Sequence, residues 1–96
     1  MYTIKYSKPA ERYFKKIKEK NLCAAYKTAI DKLEQNPYIG EPKKGDLSGI
    51  YGYDVWCAGI NYELAYRIYE ENGRLIVIIL AGTRENFYEE LKRLIK

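Results

Sequence analysis

The chain opens with an alternating run, Tyr2-Thr3-Ile4-Lys5-Tyr6, that reads as a short strand. Ser7 stands where a helix N-cap is needed, and Pro9 is tolerated in the first turn. Ala10, Tyr13, Phe14 and Ile17 then recur at i, i+3, i+4 and i+7, which is one face of a helix. Lys15, Lys16, Lys18 and Lys20 lie mostly off that face. Asn21 interrupts the pattern, and Leu22, Tyr26, Ala29, Ile30 and Leu33 mark a second helix. A short link between two amphipathic helices implies an antiparallel hairpin. Asn36-Pro37 ends it. Residues 37–46, with Pro37, Gly40, Pro42 and Gly45, read as a loop.

Beyond the loop the period changes from helical to alternating. Tyr51 to Cys57 and Tyr62 to Tyr69 read as strands, with Gly59 in the turn between them. Asn72-Gly73 is a strong hairpin signal. Leu75 to Leu80 is apolar on both faces, the mark of a strand interior to a sheet, so the first strand is expected to pair on its free side. Thr83 is expected to cap a last helix that buries Phe87, Leu91 and Leu94 or Ile95. The order is β-α-α-β-β-β-α: one α+β domain over residues 1–96, an antiparallel-rich sheet with a helical hairpin on one face.

Ninety-six residues, 47% hydrophobic and 15% aromatic, suffice for one small core with limited stability, so a partner covering exposed surface would matter. Charge is uneven. Residues 1–44 carry eleven Lys/Arg against five Asp/Glu, whereas residues 45–96 carry six against eight. The basic half suggests a polyanion or an acidic protein partner, although soluble Lys-rich helices look the same. Cys23 and Cys57 have no motif spacing, which makes a reducing cytoplasm the expected location. The N-terminus lacks a signal-peptide core, and no run approaches the ~20 apolar residues of a membrane span. Histidine is absent, removing the commonest general base and metal ligand. No metal or other cofactor is expected.

Side-chain parity sorts the strands into two faces. Tyr62, Leu64, Tyr66 and Ile68 form an apolar set expected to face the helices. Glu63, Ala65, Arg67 and Tyr69 form a mixed set expected to be partly wet. On the preceding strand Asp54 and Trp56 share the mixed face, and Arg84 and Tyr88 enter from the last strand's exit and the final helix. Metal-free RNA cleavage needs a base for the 2′-hydroxyl, cations around the phosphate and an acid for the leaving oxygen. Glu63 is the candidate base. Arg84 and Arg67 are candidate phosphate ligands, and Tyr88 a candidate to donate a proton or to stack on a base. Trp56 could stack on an unpaired base, with Lys15, Lys16 and Lys18 as RNA contacts. Each has a plainer structural reading. Glu63 and Arg67 could form a surface ion pair of ~0.2–1 kcal/mol; Tyr88 and Trp56 could simply pack; the lysines could be a solvated helix face.

Three motifs, Leu47-Ser48-Gly49, Tyr62-Glu63-Leu64-Ala65-Tyr66-Arg67-Ile68 and Gly82-Thr83-Arg84-Glu85, stand in an order and spacing that resembles the RelE/ParE superfamily of bacterial toxins. The resemblance covers nearly the whole chain. It implies a toxin of a type II toxin–antitoxin module, neutralised by an acidic antitoxin. The RelE branch cleaves messenger RNA in the ribosomal A site, and the ParE branch poisons DNA gyrase. Arg84 matches the family's phosphate-binding arginine and Tyr88 the aromatic of its last helix. The RelE nuclease carries two lysines where this chain has Asp54 and Trp56, and an arginine where it has Glu63. A ribosome-dependent messenger RNA endonuclease is the leading expectation. A gyrase inhibitor acting by binding, or a degenerate antitoxin-binding member, are the alternatives.

Overall fold

Ser7 joins the first strand to the first helix by two side-chain bonds. In the computed structural model, which describes residues 1–95, its Oγ accepts from the Ala10 N–H at 3.1 Å and donates to the Ile79 carbonyl at 2.5 Å. One hydroxyl therefore caps α1 (Lys8–Lys16) and fastens it to the sheet. β1 (Thr3–Tyr6) precedes it, and α2 (Lys20–Gln35) follows after a three-residue link. The interruption falls at residues 17–19 rather than at Asn21, which lies inside the first turn of α2. The helices meet through aromatic edges: Tyr13 and Phe14 pack on Tyr26 at 5.7 and 5.1 Å between ring centroids.

The segment expected to be loop contains structure. Asn36 ends α2 and its side chain caps a 3-10 turn at Pro37–Ile39. A two-residue strand, β2 (Glu41–Pro42), then pairs antiparallel with β3 (Tyr51–Cys57). Two residues carry no readable periodicity, so β2 was hidden from pattern. β3, β4 (Ile60–Tyr69) and β5 (Leu75–Thr83) form an antiparallel meander, and β1 adds to β5 in parallel. The order β1-β5-β4-β3-β2 places the doubly apolar strand inside the sheet, as its composition implies. The β3–β4 turn uses Ala58 and Gly59 at positive φ, the backbone of a tight two-residue hairpin.

Both faces of this sheet are covered. The helical hairpin packs on Leu64, Tyr66, Ile76 and Ile78. α3 (Phe87–Leu94) covers the other face, where Phe87 and Leu91 close a second core on Ala65, Leu80, Leu47 and Ile50. The mixed face is thus dry around Ala65 and Glu63, contrary to the expectation of partial wetting. A β-bulge makes the second core possible. Pairing passes from Ala65–Leu80 to Tyr66–Ile78, skipping Ile79. The extra residue reverses the parity of β5, so Ile76 and Ile78 face the hairpin while Leu80 faces α3. The bulged carbonyl is the one that accepts from Ser7. Thr83 ends β5 instead of capping α3; Asn86, in the left-handed region at φ 57°, occupies the cap position without a side-chain bond. Ile95, not Leu94, packs under α3.

Candidate functional site

Strand pairing alone creates an electrostatic problem at the end of the sheet. Asp54 of β3 stands directly opposite Glu63 of β4, two carboxylates on one face. Like charges in that relation repel, and the Glu63 side chain is only 2% exposed. Burial of a carboxylate demands cations and hydrogen-bond donors. Three groups meet the demand. The Tyr88 hydroxyl of α3 donates to Glu63 Oε2. Lys43 Nζ lies 3.8 Å from the same oxygen, and Arg84 Nε lies 3.4 Å from Oε1. Among the described residues Oε1 accepts no hydrogen bond, so Arg84 holds it by charge rather than by an aligned bond.

These side chains line a cleft of about 210 Å³ with Glu41, Gly52 and Asp54. Phe87, anchored in the second core, sets the start of α3 and thereby aims Tyr88 into the cleft. Arg84 arrives from the turn between β5 and α3, and its side chain is 54% exposed at the rim. Lys43 and Glu41 arrive from β2 and the residue after it. They share the parity of Gly52, which pairs with Glu41, so both point to the cleft face. Lys43 is 17% exposed, 2.9 Å from Glu41 Oε1, and 5.0 Å from the centre of the Tyr88 ring.

The surroundings shift three protons. Burial raises the Tyr88 phenol, the hydrogen bond to Glu63 raises it further, and Lys43 opposes both. Burial works against the Lys43 ammonium, but its interactions with Tyr88, Glu41 and Glu63 outweigh burial and hold its pKa above the usual lysine value. The Glu41 carboxyl is held low, first by its hydrogen bond from Lys43 and then by that charge. A protonated phenol, an ammonium and a guanidinium therefore converge on one buried carboxylate.

Of the residues singled out from sequence, Arg84, Tyr88 and Glu63 come together. Asp54 joins them at the cleft wall. Arg67 does not: it lies over Gly49, whose φ of +91° and absent side chain accommodate Arg67 Nη1. That contact gives the Leu47-Ser48-Gly49 motif a structural role. Trp56 is 65% exposed near the β3–β4 hairpin tip, on the cleft face but outside the cleft. Lys15 pairs with Glu11 at 3.8 Å, and Lys15, Lys16 and Lys18 belong to the helical layer across the sheet. Sequence reasoning missed Lys43, Glu41 and Gly52. The signal was the spacing of Glu41 and Lys43, which is only informative once β2 is known to be a strand.

The comparisons with known proteins agree with this architecture. A family model described as the ParE-like toxin of type II bacterial toxin–antitoxin systems matches residues 4–92. A chain in the crystal structure of the toxin–antitoxin complex RelBE2 from Mycobacterium tuberculosis is 28% identical, over 86% of this chain and 98% of that one, with a TM-score of 0.67. The free E. coli toxin RelE, as a double arginine-to-alanine mutant, is 19% identical over 96% of each chain, with a TM-score of 0.71. At that identity the likeness speaks to fold alone. No curated protein matches significantly.

Proposed function

The chain belongs to the ParE-like toxin family and is the toxin of a type II toxin–antitoxin module, and from that premise we propose that it is a ribosome-dependent endonuclease that cuts messenger RNA in the cytoplasm. The observation that carries this reading is the Tyr88–Glu63 pair clamped between Lys43 and Arg84. A surface that acts only by binding has no need of a phenol bonded to a buried, doubly cation-flanked carboxylate. A nuclease has: the pair is a fixed proton donor beside an exposed guanidinium.

In this mechanism Arg84 holds the scissile phosphate at the rim. The substrate's 2′-oxygen bonds to phosphorus, the bond to the 5′-oxygen breaks, and Tyr88 delivers its proton to that leaving oxygen. The products are a 2′,3′-cyclic phosphate and a 5′-hydroxyl. Glu63 is too enclosed to receive the 2′-hydroxyl proton, and its part becomes orienting Tyr88. Asp54 is exposed, and its one hydrogen bond among the described residues is from Asn61 Nδ2 at 3.5 Å. It is the carboxylate free to act as base. Trp56, on the same face, is positioned to stack on a neighbouring base.

One observation favours the second reading, a gyrase inhibitor acting by binding. The cleft carries Glu41, Asp54 and Glu63 against Lys43 and Arg84, an acidic excess that disfavours a phosphodiester. Inducible expression with primer-extension mapping separates the two. The nuclease reading expects discrete cuts in translated messages, reduced about 10²–10³-fold by Arg84→Ala or Tyr88→Phe along with growth arrest. Intact messages with inhibited supercoiling would sink it in favour of the gyrase reading. Normal growth with antitoxin still bound marks a degenerate member. For the antitoxin partner, a groove of about 1010 Å³ between β1 and the two N-terminal helices offers room, with Met1, Tyr6 and Phe14 on its walls.

A further inference from the structure

The lysines of the RelE nuclease strand are missing from β3, yet the cleft is not without one. Lys43 enters it from the β2 edge of the sheet, beside β3. The route is set by Gly52. A Cβ on Gly52 would stand 2.7 Å from Lys43 Cε, 3.2 Å from Lys43 Nζ and 3.1 Å from Glu63 Oε2. The Lys43 side chain therefore crosses directly over the bare Cα of Gly52 to reach Glu63. The backbone of Lys43 is fixed for this purpose, its N–H donating to the Ile50 carbonyl at 2.8 Å, continuous with the β2–β3 ladder.

We propose that Lys43, admitted to the cleft by Gly52, is the positioning cation that sets the proton of Tyr88. When Tyr88 gives its proton to a leaving oxygen, a phenolate is left hydrogen-bonded to a carboxylate. Two adjacent anions in a largely enclosed site are untenable without a nearby cation. Arg84 sits on the other oxygen of Glu63, turned toward the rim where substrate binds. Lys43 is the cation on the Tyr88 side, sharing Oε2 with the phenol and lying 5.0 Å from its ring. The charged groups facing Tyr88 are Glu41 and Lys43 from the β2 segment, Asp54 from β3, Glu63 from β4 and Arg84 after β5. Of these, Lys43 and Glu63 act most strongly on its proton, in opposite directions.

The rate consequence rests on the nuclease reading; the titration consequence does not. The experiment follows the Tyr88 phenol by NMR in protein labelled at tyrosine Cζ, with Tyr88→Phe identifying the resonance, alongside cleavage of a translated message. Lys43→Met is expected to move the Tyr88 titration upward, and Lys43→Arg to return it toward wild type. Gly52→Ala is expected to behave like Lys43→Met, because the new methyl displaces the lysine. Cleavage is expected to fall about 10²-fold in Lys43→Met and to recover in part with arginine. If Lys43→Met does not fold, Lys43→Gln removes the charge while keeping a donor, with the same expectation. A Tyr88 titration unmoved in the charge-removing variant overturns the proposal whether or not RNA is cut. A wild-type protein that cuts no RNA, with the titration still shifted, overturns the nuclease reading and leaves the Lys43 assignment standing.

Discussion

Gly40 is the tightest point between the site-bearing loop and the core, and replacing it with alanine tests how the loop is held. The backbone there is ordinary, at φ −76°, so the constraint is space alone. An added Cβ would lie 2.0 Å from the Tyr66 hydroxyl oxygen, 2.9 Å from its Cζ and 2.9 Å from the Gly52 carbonyl oxygen. The first contact must open by roughly 1.4 Å to reach ordinary van der Waals distance. Tyr66 cannot retreat freely. It is fully buried, stacked on Tyr51 at 5.7 Å and 21°, and its hydroxyl donates to the Pro37 carbonyl at 2.6 Å. Gly40→Ala therefore overpacks the site, costing about 1–3 kcal/mol. It also breaks the bond to Pro37, leaving a buried acceptor at a further ~1–3 kcal/mol.

The two terms add to about 2–6 kcal/mol, and each kcal/mol corresponds to a Tm drop of roughly 4–8 °C in a domain of this size. Tyr66→Phe alone loses only the hydrogen bond, about 1–2 kcal/mol. In the double variant that bond is lost once rather than twice, and the shortest clash is gone. Thermal and urea unfolding of all four proteins should show the double variant less destabilised than the sum by about 1 kcal/mol or more. Additivity within ~0.5 kcal/mol would refute the reasoning, as would a Gly40→Ala protein as stable as wild type. Because Gly52 and the Lys43 backbone lie on the same ladder, the variant should also lose toxicity out of proportion to its remaining folded fraction.

Ser7→Ala removes both the α1 cap and the donor to the bulged Ile79 carbonyl, an expected loss of about 1–2 kcal/mol by urea unfolding; a loss under ~0.3 kcal/mol would show the bulge holds itself. Glu63→Gln is expected to lower the Tyr88 pKa, opposite in sign to loss of Lys43, and to reduce cleavage; an upward movement would contradict the cleft electrostatics. Glu70 accepts from Tyr2 and Tyr38, each at 2.6 Å, tying the N-terminus and the Pro37–Ile39 turn to the end of β4. The Tyr2 and Tyr38 bonds hold the Glu70 carboxyl low, so this contribution is present above its unfolded pKa and is lost as pH falls through the folded one. The Glu70 bond raises Tyr38 to about 12, so at the alkaline end the contribution is whole below the unfolded value and lost through that pH. The protection factor of the Thr3 amide, taken against its intrinsic exchange rate at each pH, should fall at both extremes in wild type and stay level in Glu70→Gln.

Period and punctuation carried most of the fold. Ser7, Asn36-Pro37 and Asn72-Gly73 mark boundaries because each solves a backbone problem locally. The doubly apolar run of β5 announced its interior position because only a covered strand tolerates it. What escaped depended on non-local pairing. β2 is two residues long, and nothing in Glu41-Pro42 distinguishes it from loop until β3 is beside it. The Ile79 bulge is invisible in an all-apolar string, since parity cannot be read where every residue is hydrophobic. The site followed the same rule. Glu63 and Tyr88 sit on elements whose faces periodicity resolves, and Arg84 stands in the Gly82-Thr83-Arg84-Glu85 motif in the turn between β5 and α3. Lys43 sits on the element it does not, and Gly52 contributes by lacking a side chain.

The Asp54–Glu63 opposition means that this cleft must draw its cations from outside the two strands that carry its carboxylates. Two carboxylates paired across strands would not hold one of their number in the interior unless cations came from outside those strands. Lys43 and Arg84 come from the β2 segment and the β5 exit, so the positive charge on the buried carboxylate is supplied from outside the two strands that carry the carboxylates. The consequence is testable by placing a cation on β3. Asp54→Lys replaces the repelling neighbour of Glu63 with an attracting one and turns the acidic excess of the cleft into a basic one. Lys43 should then be partly redundant. Its replacement by methionine is expected to move the Tyr88 titration upward in the native background and by less in the Asp54→Lys background, where cleavage is no readout because the substitution also removes the proposed base. In binding terms, the interaction between two neighbouring charges on one group is non-additive. Equal shifts of the Tyr88 titration in both backgrounds, followed by NMR at fixed ionic strength, would mean that Lys43 acts through packing and not through its charge.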